Sequence, residues 1–410
     1  MSQIIRKVRG KNLFFSTDVE KAIKIADVIF ISVNTPIKSH GIGAGEASDL
    51  KWVESSAREI SMYAKGHTIV VEKSTLPVKT ASIIKSILES SSKDSVGGDL
   101  KKTFSVLSNP EFLAEGTAIN DLENPDRVLI GGEDKTSIDV LKEIYIRWVK
   151  KEKIITTNLW SSELSKLIAN AFLAQRISSI NSVSAICEST GANVEEVALA
   201  VGKDSRIGEK FLKSGPGFGG SCFKKDILNL VYICKSLGLR EVAEYWDEII
   251  KINDWQQDRI YKTVVDKLYG NISGKRIVIL GFSFKADTND TRNSPSITIC
   301  RKLLAEDAQL VIHDPKVGKN NVFEALIGSK NNIKFHNKLI YEINIPKAIE
   351  NADAVLIMTE WEDYKNLDWK KLQIKMRKPS WVFDTRSIIS PNKIKETDLN
   401  FWQLGNGEYN

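Results

Sequence analysis

The sequence predicts an α/β protein in which two doubly wound domains are joined by a central helical domain. Uninterrupted apolar runs, such as residues 26–33 and 276–280, alternate with amphipathic segments at both ends of the chain. Such runs are typical of parallel strands covered on both faces of a sheet. Between residues 160 and 268 the apolar spacing becomes that of long helices, without a convincing strand. We place the domains at 1–158, 159–268 and 269–410.

The first domain starts with a predicted strand at 12–16, a helix capped by Asp18, and a buried strand at 26–33. The pattern then predicts an amphipathic helix at 49–64, a strand at 68–71 and a helix from 72 onward with Pro77 in its first turn. Two further strands are predicted at 104–107 and 128–130. The polar stretch 90–102 and the glycine-rich stretch 41–45 are predicted to be loops. Ligands of doubly wound sheets bind at the carboxyl ends of the strands, which places Asn34 and Ser74 at the expected site.

The rest of the chain contains two long predicted helices and a second α/β pattern. The helices span 161–187 and 240–268, and long helices of this kind favour an oligomer interface. The second pattern has strands at 275–282, 309–313, 352–358 and 381–384, with helices after Asn293 and near Lys347.

Composition excludes several classes of function. The net charge of +6 arises from 58 basic and 52 acidic residues without a long basic run, so nucleic-acid binding is not indicated. The four cysteines form no CxxC pair and have no histidines at zinc-ligand spacing, so we expect no metal and no disulfides. We expect neither a signal peptide nor a membrane segment, and therefore a cytoplasmic protein.

One segment combines the features of a nucleophilic site: KSGPGFGGSCFKKD, residues 213–226. Its glycines allow the backbone to approach a ligand closely, and the apolar period that follows predicts that a helix begins near Cys222. A helix N-terminus and two neighbouring lysines favour the thiolate form of a cysteine, and Asp226 follows one turn later. The alternative is a glycine turn beside a buried cysteine, which is a common core residue.

This segment resembles the active-site loop of the UDP-glucose and GDP-mannose dehydrogenase family. Three further segments agree in order along the chain: NPEFLAEG at 109–116, ELSKLIAN at 163–170 and FLAQRISSIN at 172–181. The resemblance implies two Rossmann-like domains and an NAD-dependent, four-electron oxidation of UDP-glucose to UDP-glucuronate. The last segment favours the animal-like UDP-glucose branch over the bacterial GDP-mannose branch. A dehydrogenase for another nucleotide sugar, UDP-ManNAc or GDP-mannose, is an alternative.

The resemblance also assigns catalytic roles. Cys222 would hold the half-oxidised sugar as a thiohemiacetal and then as a thioester. Lys166 and Asn170, one helical turn apart, would stabilise developing oxyanion charge. Asp226 would polarise the hydrolytic water together with Thr75 and Glu111.

The implied binding residues form two groups. Those expected to hold NAD are Val33, Asn34, Thr35, Pro36, Ser74, Thr75, Leu76, Glu115, Cys222, Lys225 and Arg292. Those expected to contact the nucleotide sugar are Glu111, Phe112, Leu113, Ala114, Glu115, Lys166, Asn170, Arg206, Lys213, Phe218, Gly219, Phe284, Lys285 and Arg386. In this family Arg206 would reach a neighbouring subunit, so we expect a homo-oligomer, either a dimer or a trimer of dimers.

The glycine fingerprint GxGxxG and the acidic residue about 20 positions after it do not occur near the start of this sequence. We therefore expect the first Rossmann-like domain to be incomplete at its N-terminus. The alternative to an active dehydrogenase is a catalytically silent subunit that binds nucleotide sugars.

Overall fold

The computed structural model describes residues 2–93, 102–328 and 335–409. These residues form two compact units: unit 1 is 1–169 with 228–243, and unit 2 is 170–227 with 244–410. Most of the loop expected at 90–102 lies outside the described residues. The division into three domains stays a prediction.

Unit 1 contains a five-stranded sheet with the strand order β1-β2-β3-β4-β5. Its strands are β1 Val28–Ile31, β2 His67–Glu72, β3 Thr103–Ser108, β4 Val128–Gly131 and β5 Ile154–Thr157. Neighbouring strands are parallel except for β3 and β4, which are antiparallel. The helices of this part of the chain are α1 Ser2–Val8, α2 Val19–Lys24, α3 Lys51–Tyr63, α4 Thr80–Lys93, α5 Ala118–Glu123 and α6 Lys135–Tyr145.

Burial explains why the central strands of this sheet read as apolar runs. Every residue of β2 after His67 is buried, and so is every residue of β4. Apolar residues of α3 and α4, including Ala57, Ile84 and Leu88, are fully buried in the same core. The sheet is therefore covered by helices, as the lack of alternation in its strands predicts.

Unit 2 contains a six-stranded, fully parallel sheet with the strand order β11-β10-β9-β6-β7-β8. Its strands are β6 Arg276–Leu280, β7 Gln309–His313, β8 Leu339–Tyr341, β9 Ala354–Ile357, β10 Trp381–Asp384 and β11 Asn400–Gln403. Its helices include α11 Pro295–Ala305, α12 Lys319–Ile327, α13 Ile345–Ala348, α14 Glu362–Lys365, α15 Trp369–Leu372 and α16 Pro391–Lys395. Apolar clusters fill both faces of this sheet, so the α/β class with parallel-strand sheets is confirmed.

The middle of the chain is helical, as the sequence predicts. Its helices are α7 Leu159–Thr190, α8 Val194–Gly202, α9 Phe223–Ser236 and α10 Arg240–Lys267. Short 3-10 turns occur at Lys151–Lys153, Gln373–Lys375 and Gly407–Tyr409.

Two sequence-based assignments in unit 1 are wrong. Residues 12–16 form no strand: one bridge joins Arg9 to Leu13, and Phe14 and Phe15 are 70% and 66% exposed. An apolar run becomes a strand only when its backbone groups find a partner strand. The helix expected from residue 72 begins at Thr80, because 67–72 continue β2 and the residues between are a loop.

Candidate active site

In unit 1, hydroxyl groups tie together the segments that follow β1 and β2. The Ser74 hydroxyl donates a hydrogen bond to the Val33 carbonyl at 2.7 Å, and the Thr35 hydroxyl donates to the Thr75 carbonyl at 3.1 Å. Both bonds lie at the carboxyl edge of the sheet, where the sequence places the cofactor residues. Asn34 between them is exposed. Pro36 and Leu76 complete the two segments, and Leu76 is buried.

The segment after β3 carries a carboxylate that pairs with a buried lysine. Glu111 lies 3.3 Å from Lys166, which is 4% exposed, and its second oxygen accepts a hydrogen bond from the Leu113 amide at 2.6 Å. The Phe112 ring lies beside this pair, 5.3 Å from the Lys166 ammonium and 3.8 Å from the Arg127 guanidinium. Unit 1 thus brings Glu111, Phe112 and Lys166 together, whereas Leu113 and Ala114 are exposed and Glu115 is half-buried.

A polar cluster of Lys73, Asn109 and Tyr145 was not predicted from the sequence. The Lys73 ammonium donates hydrogen bonds to the side-chain oxygen of Asn109 at 2.9 Å and to the Tyr145 hydroxyl at 3.1 Å. The Tyr145 hydroxyl in turn donates to the same Asn109 oxygen at 2.6 Å. Burial lowers the pKa of Lys73 to about 8, with Glu111 opposing the shift. The position of Lys73 directly before Ser74 and Thr75 was the available signal.

A second cluster that was not predicted from the sequence is a pair of buried carboxyl groups, Glu72 and Glu163. Glu72 is 1% exposed, and burial, followed by the neighbouring Glu163, raises its pKa well above the ordinary value. Glu163 accepts hydrogen bonds from the amides of Lys79 and Ala81 at 2.7 and 2.8 Å, which caps the start of α4. Two carboxylates offer no donor to each other, so the pair is stable when it holds a proton.

In unit 2, Cys222 directly precedes α9, as the sequence predicts, and it is exposed rather than enclosed by the core. The Ser221 hydroxyl lies 3.5 Å from its sulfur. Gly217 and Gly220 have φ angles of 121° and 82°, which other residues adopt only with strain. The exposed sulfur therefore lies at the N-terminal end of a 14-residue helix, where partial positive charge favours an anion.

Three buried amide side chains hold the backbone of the preceding loop. Asn181 accepts a hydrogen bond from the Gly215 amide at 2.9 Å, and Gln256 donates one to the Gly215 carbonyl at 2.9 Å. Asn253 accepts from the Phe218 amide at 2.7 Å. Because buried polar groups are costly to leave unpaired, these bonds fix the conformation of the loop up to Cys222.

The aspartate one turn after the cysteine is paired. Asn170 donates a hydrogen bond to the Asp226 carboxylate at 2.6 Å, and both side chains are buried. Lys225 lies 3.8 Å from the other Asp226 oxygen, and Lys224 lies 3.7 Å from Asp254. Asn170 and Asp226 therefore form a unit that orients the carboxylate, and the oxyanion role expected of Asn170 stays a prediction.

The end of β10 places a guanidinium against the glycine loop. Arg386 is 3.2 Å from the position a Gly215 side chain would occupy, and it donates hydrogen bonds to the Phe284 and Met358 carbonyls at 3.0 and 2.8 Å. It also lies 3.1 Å from Glu360. Although burial would raise the pKa of that carboxyl, Arg386 and then Lys213 reverse the effect and lower it.

Two of the expected contact residues, Arg206 and Arg292, have guanidinium groups that pair with neighbouring aspartates. Arg206 is exposed and forms an ion pair with Asp204 at 2.6 Å, and Arg292 likewise pairs with Asp290 at 2.8 Å. Lys285 lies over the Phe284 ring at 5.6 Å. The carbonyl of Arg292 accepts a hydrogen bond from the Gly220 amide at 2.7 Å, so its backbone supports the cysteine loop.

No group of three or more histidine, cysteine, aspartate or glutamate side chains is arranged to hold a metal ion within residues 2–93, 102–328 and 335–409. Within those ranges no helix has the length and apolar character needed to cross a bilayer.

The chain is similar to known proteins over nearly its whole length. Three models of the UDP-glucose/GDP-mannose dehydrogenase family match: the NAD binding domain at 1–149, the central domain at 160–255 and the UDP binding domain at 278–391. The chain is 51% identical to UDP-glucose 6-dehydrogenase 3 of Oryza sativa subsp. japonica, with 99% of this chain and 86% of the relative covered. It is also 51% identical to UDP-glucose 6-dehydrogenase 1 of Glycine max, over 98% of this chain and 85% of that protein.

A solved structure of a UDP-glucose dehydrogenase from the archaeon Pyrobaculum islandicum matches with a TM-score of 0.82 and 28% identity. That match covers 98% of this chain and 85% of the archaeal chain. On this sequence identity and coverage, the chain belongs to the UDP-glucose/GDP-mannose dehydrogenase family.

Proposed function

We propose that this chain oxidises UDP-glucose to UDP-glucuronate with NAD, through a covalent intermediate on Cys222. The observation that carries the proposal is an exposed cysteine at the N-terminus of α9, held by a glycine loop whose backbone is fixed by buried amides. The sugar nucleotide of the relatives is an anion, and Arg386 and Lys213 near the same loop supply positive charge for its pyrophosphate.

The first step takes the primary alcohol of the sugar to an aldehyde. This oxidation removes a hydride and the hydroxyl proton, so it needs a proton acceptor and a group that stabilises negative charge on oxygen. The Glu111–Lys166 pair offers both, because the carboxylate can accept a proton and the buried ammonium can donate to an oxyanion.

The second step requires capture of the aldehyde. The Cys222 sulfur adds to the carbonyl carbon, and the oxygen takes up a proton to give a thiohemiacetal. Loss of a hydride from carbon and of the hydroxyl proton leaves a thioester. A thiolate suits both halves of this step because it is a good nucleophile and a good leaving group.

Hydrolysis then releases the product. Water attacks the thioester carbon and gives up its protons, and the carbon–sulfur bond breaks. The product is released as a carboxylate, and Cys222 is left as the free thiolate. Asp226, oriented by Asn170 at 2.6 Å, is the carboxylate we propose to polarise that water, together with Thr75 and Glu111.

The residues after β1 and β2 fit the nicotinamide end of NAD. They present neutral hydroxyl, amide and backbone groups at the carboxyl edge of a parallel sheet, which suits a ribose and a carboxamide. We propose that residues 33–36 and 74–76 hold this end, with Glu115, Lys225 and Arg292 as further cofactor contacts. When bound, NAD supplies the hydride acceptor for both oxidations.

The remaining substrate contacts and the assembly are also proposals. Phe112, Phe218, Gly219, Phe284 and Lys285 would line the sugar nucleotide, and Arg206 would act across a subunit interface of a homo-oligomer. The exposed Arg206 guanidinium supports that role, and four free cysteines support a cytoplasmic location.

The test is turnover of UDP-glucose by the purified chain, measured as NADH and as UDP-glucuronate. We expect two NADH for each UDP-glucuronate in the unmodified chain. Cys222→Ser should bind UDP-glucose but lose net oxidation by several orders of magnitude, because a hydroxyl is a far poorer nucleophile and leaving group. Near-normal acid production by that variant would refute the covalent route, and UDP-glucose binding without turnover by the unmodified chain would refute the enzymatic assignment.

A further inference from the structure

The Lys73 ammonium occupies a position that core packing alone does not require. Lys73 directly follows the last residue of β2, and its two hydrogen bonds go to Asn109 and Tyr145, which are 0% and 6% exposed. Lys73 is one of three partners of the Asn109 side chain: Tyr145 donates to the same oxygen, and the Asn109 side-chain amide group donates to the Leu129 carbonyl at 2.7 Å. Lys73 is half-buried, and removing part of the hydration of its charge is costly unless the ammonium is hydrogen-bonded.

The network leads directly to the proposed reacting groups. Asn109 is followed by Pro110 and Glu111, so fixing the Asn109 side chain fixes the start of the segment that carries Glu111. The backbone amide of Asn109 also donates a hydrogen bond to the Glu72 backbone carbonyl at 2.9 Å, which joins the ends of β2 and β3.

The charge of Lys73 acts on the same pair. Its titration is influenced by attraction to Glu111 and by repulsion from Lys166. A cation at this place attracts the Glu111 carboxylate and repels the Lys166 ammonium, the two groups that form the 3.3 Å pair.

We infer that Lys73 is a positioning residue, whose ammonium, bonded to Asn109 and Tyr145, holds Glu111 in the place where it pairs with Lys166. The inference rests on the proposed function, because Glu111 and Lys166 are its reacting groups. Lys73 itself needs no contact with the substrate in this account.

The experiment compares Lys73→Met, which keeps the aliphatic stem, with Lys73→Arg, which keeps the charge. Lys102→Met is the matched control: Lys102 donates two hydrogen bonds, to the Ser61 and Met62 carbonyls at 3.1 and 3.0 Å, and it lies at the opposite end of β3. We measure kcat and KM for UDP-glucose, and thermal unfolding, for each full-length variant.

We expect Lys73→Met to lower kcat by between about tenfold and a hundredfold, the range that displacement of a reacting group by up to ~1 Å causes. KM for UDP-glucose should change much less, Lys73→Arg should recover part of kcat, and Lys102→Met should leave both constants unchanged. In a Glu111→Gln background, Lys73→Met should cause little further loss, because its effect passes through Glu111.

The inference would be overturned if the kcat of the double variant fell by the product of the losses in Lys73→Met and Glu111→Gln. A normal kcat in Lys73→Met would overturn it as well. A fall in kcat that only follows a loss of folded protein in the unfolding curve would assign Lys73 a structural role. An unmodified chain without turnover would refute the proposed function and this inference together, whereas an active unmodified chain with a normal Lys73→Met refutes the inference alone.

Discussion

Gly219→Ala tests whether the packing of the cysteine loop sets the position of Cys222. A Cβ at residue 219 would lie 2.6 Å from the Asn293 carbonyl oxygen and 2.8 Å from the Phe284 Cβ. Non-bonded heavy atoms prefer separations of about 3.5–4.0 Å, so the methyl group is nearly ~1 Å too close on both sides. Because one neighbour is backbone and the other a Cβ, neither can rotate away.

The expected consequence is a shift of the loop rather than loss of the fold. Overpacking of this kind typically costs about 1–3 kcal/mol. Cys222 follows three residues later, and a displacement of ~1 Å at a reacting group can lower the rate by about a hundredfold. We therefore expect kcat for NADH formation to fall by roughly that factor while the free energy of unfolding falls by only a few kcal/mol.

Gly318→Ala is the matched control. Gly318 has a φ of −77° and nothing within 4 Å of the added Cβ, so the same change there meets neither strain nor a clash. Equal kcat values for the two variants would refute the reasoning that links this packing to catalysis, and so would a Gly219→Ala variant with normal kcat and normal stability.

Three further predictions concern single side chains. Asn170→Ala removes the 2.6 Å donor from the buried Asp226 carboxylate and should lower the free energy of unfolding by about 1.5–3 kcal/mol in denaturant titrations; an unchanged midpoint would mean that the bond is unimportant. Glu72 has a raised pKa because it is buried beside Glu163, so above the ordinary carboxyl pKa the folded state binds more protons than the unfolded state. The free energy of unfolding should therefore fall as pH rises through that range, by at most ~1.4 kcal/mol per pH unit for one proton. Glu72→Gln keeps a donor for Glu163 and should reduce that fall, because burial also raises the pKa of Glu163; an unchanged slope in pH-dependent unfolding would contradict the prediction. Arg386→Lys loses hydrogen bonds to two backbone carbonyls and should raise KM for UDP-glucose by about tenfold or more, with an unchanged KM counting against its role.

The local features of the site could be read from the sequence because short-range rules determine them. The start of α9 at Phe223 follows from the glycine run and the apolar period after it, and this places Cys222 at a helix N-terminus. The α2 cap is another case, since the Asp18 side chain accepts a hydrogen bond from the Lys21 amide, as a capping residue should.

The long-range features could not be read in this way. The partners Lys73 and Tyr145 are 72 residues apart, and only the packing of α6 against the sheet brings them together. In the sequence Glu72 is the polar end of a strand, and the residues around it do not predict that Glu163 lies beside it. The strand expected at 12–16 fails for the related reason that strand formation depends on a partner, which a local pattern does not specify.

The central claim is that Cys222 carries the sugar as a covalent intermediate, and trapping that intermediate tests it most directly. In an Asp226→Asn variant, hydrolysis should be slowed because the group proposed to polarise water has lost its charge. After mixing with UDP-glucose and NAD and rapid acid quenching, mass spectrometry should find the oxidised sugar nucleotide attached to the peptide that contains Cys222. Continued formation of UDP-glucuronate with no adduct on that peptide, or with the adduct on another residue, would contradict the account.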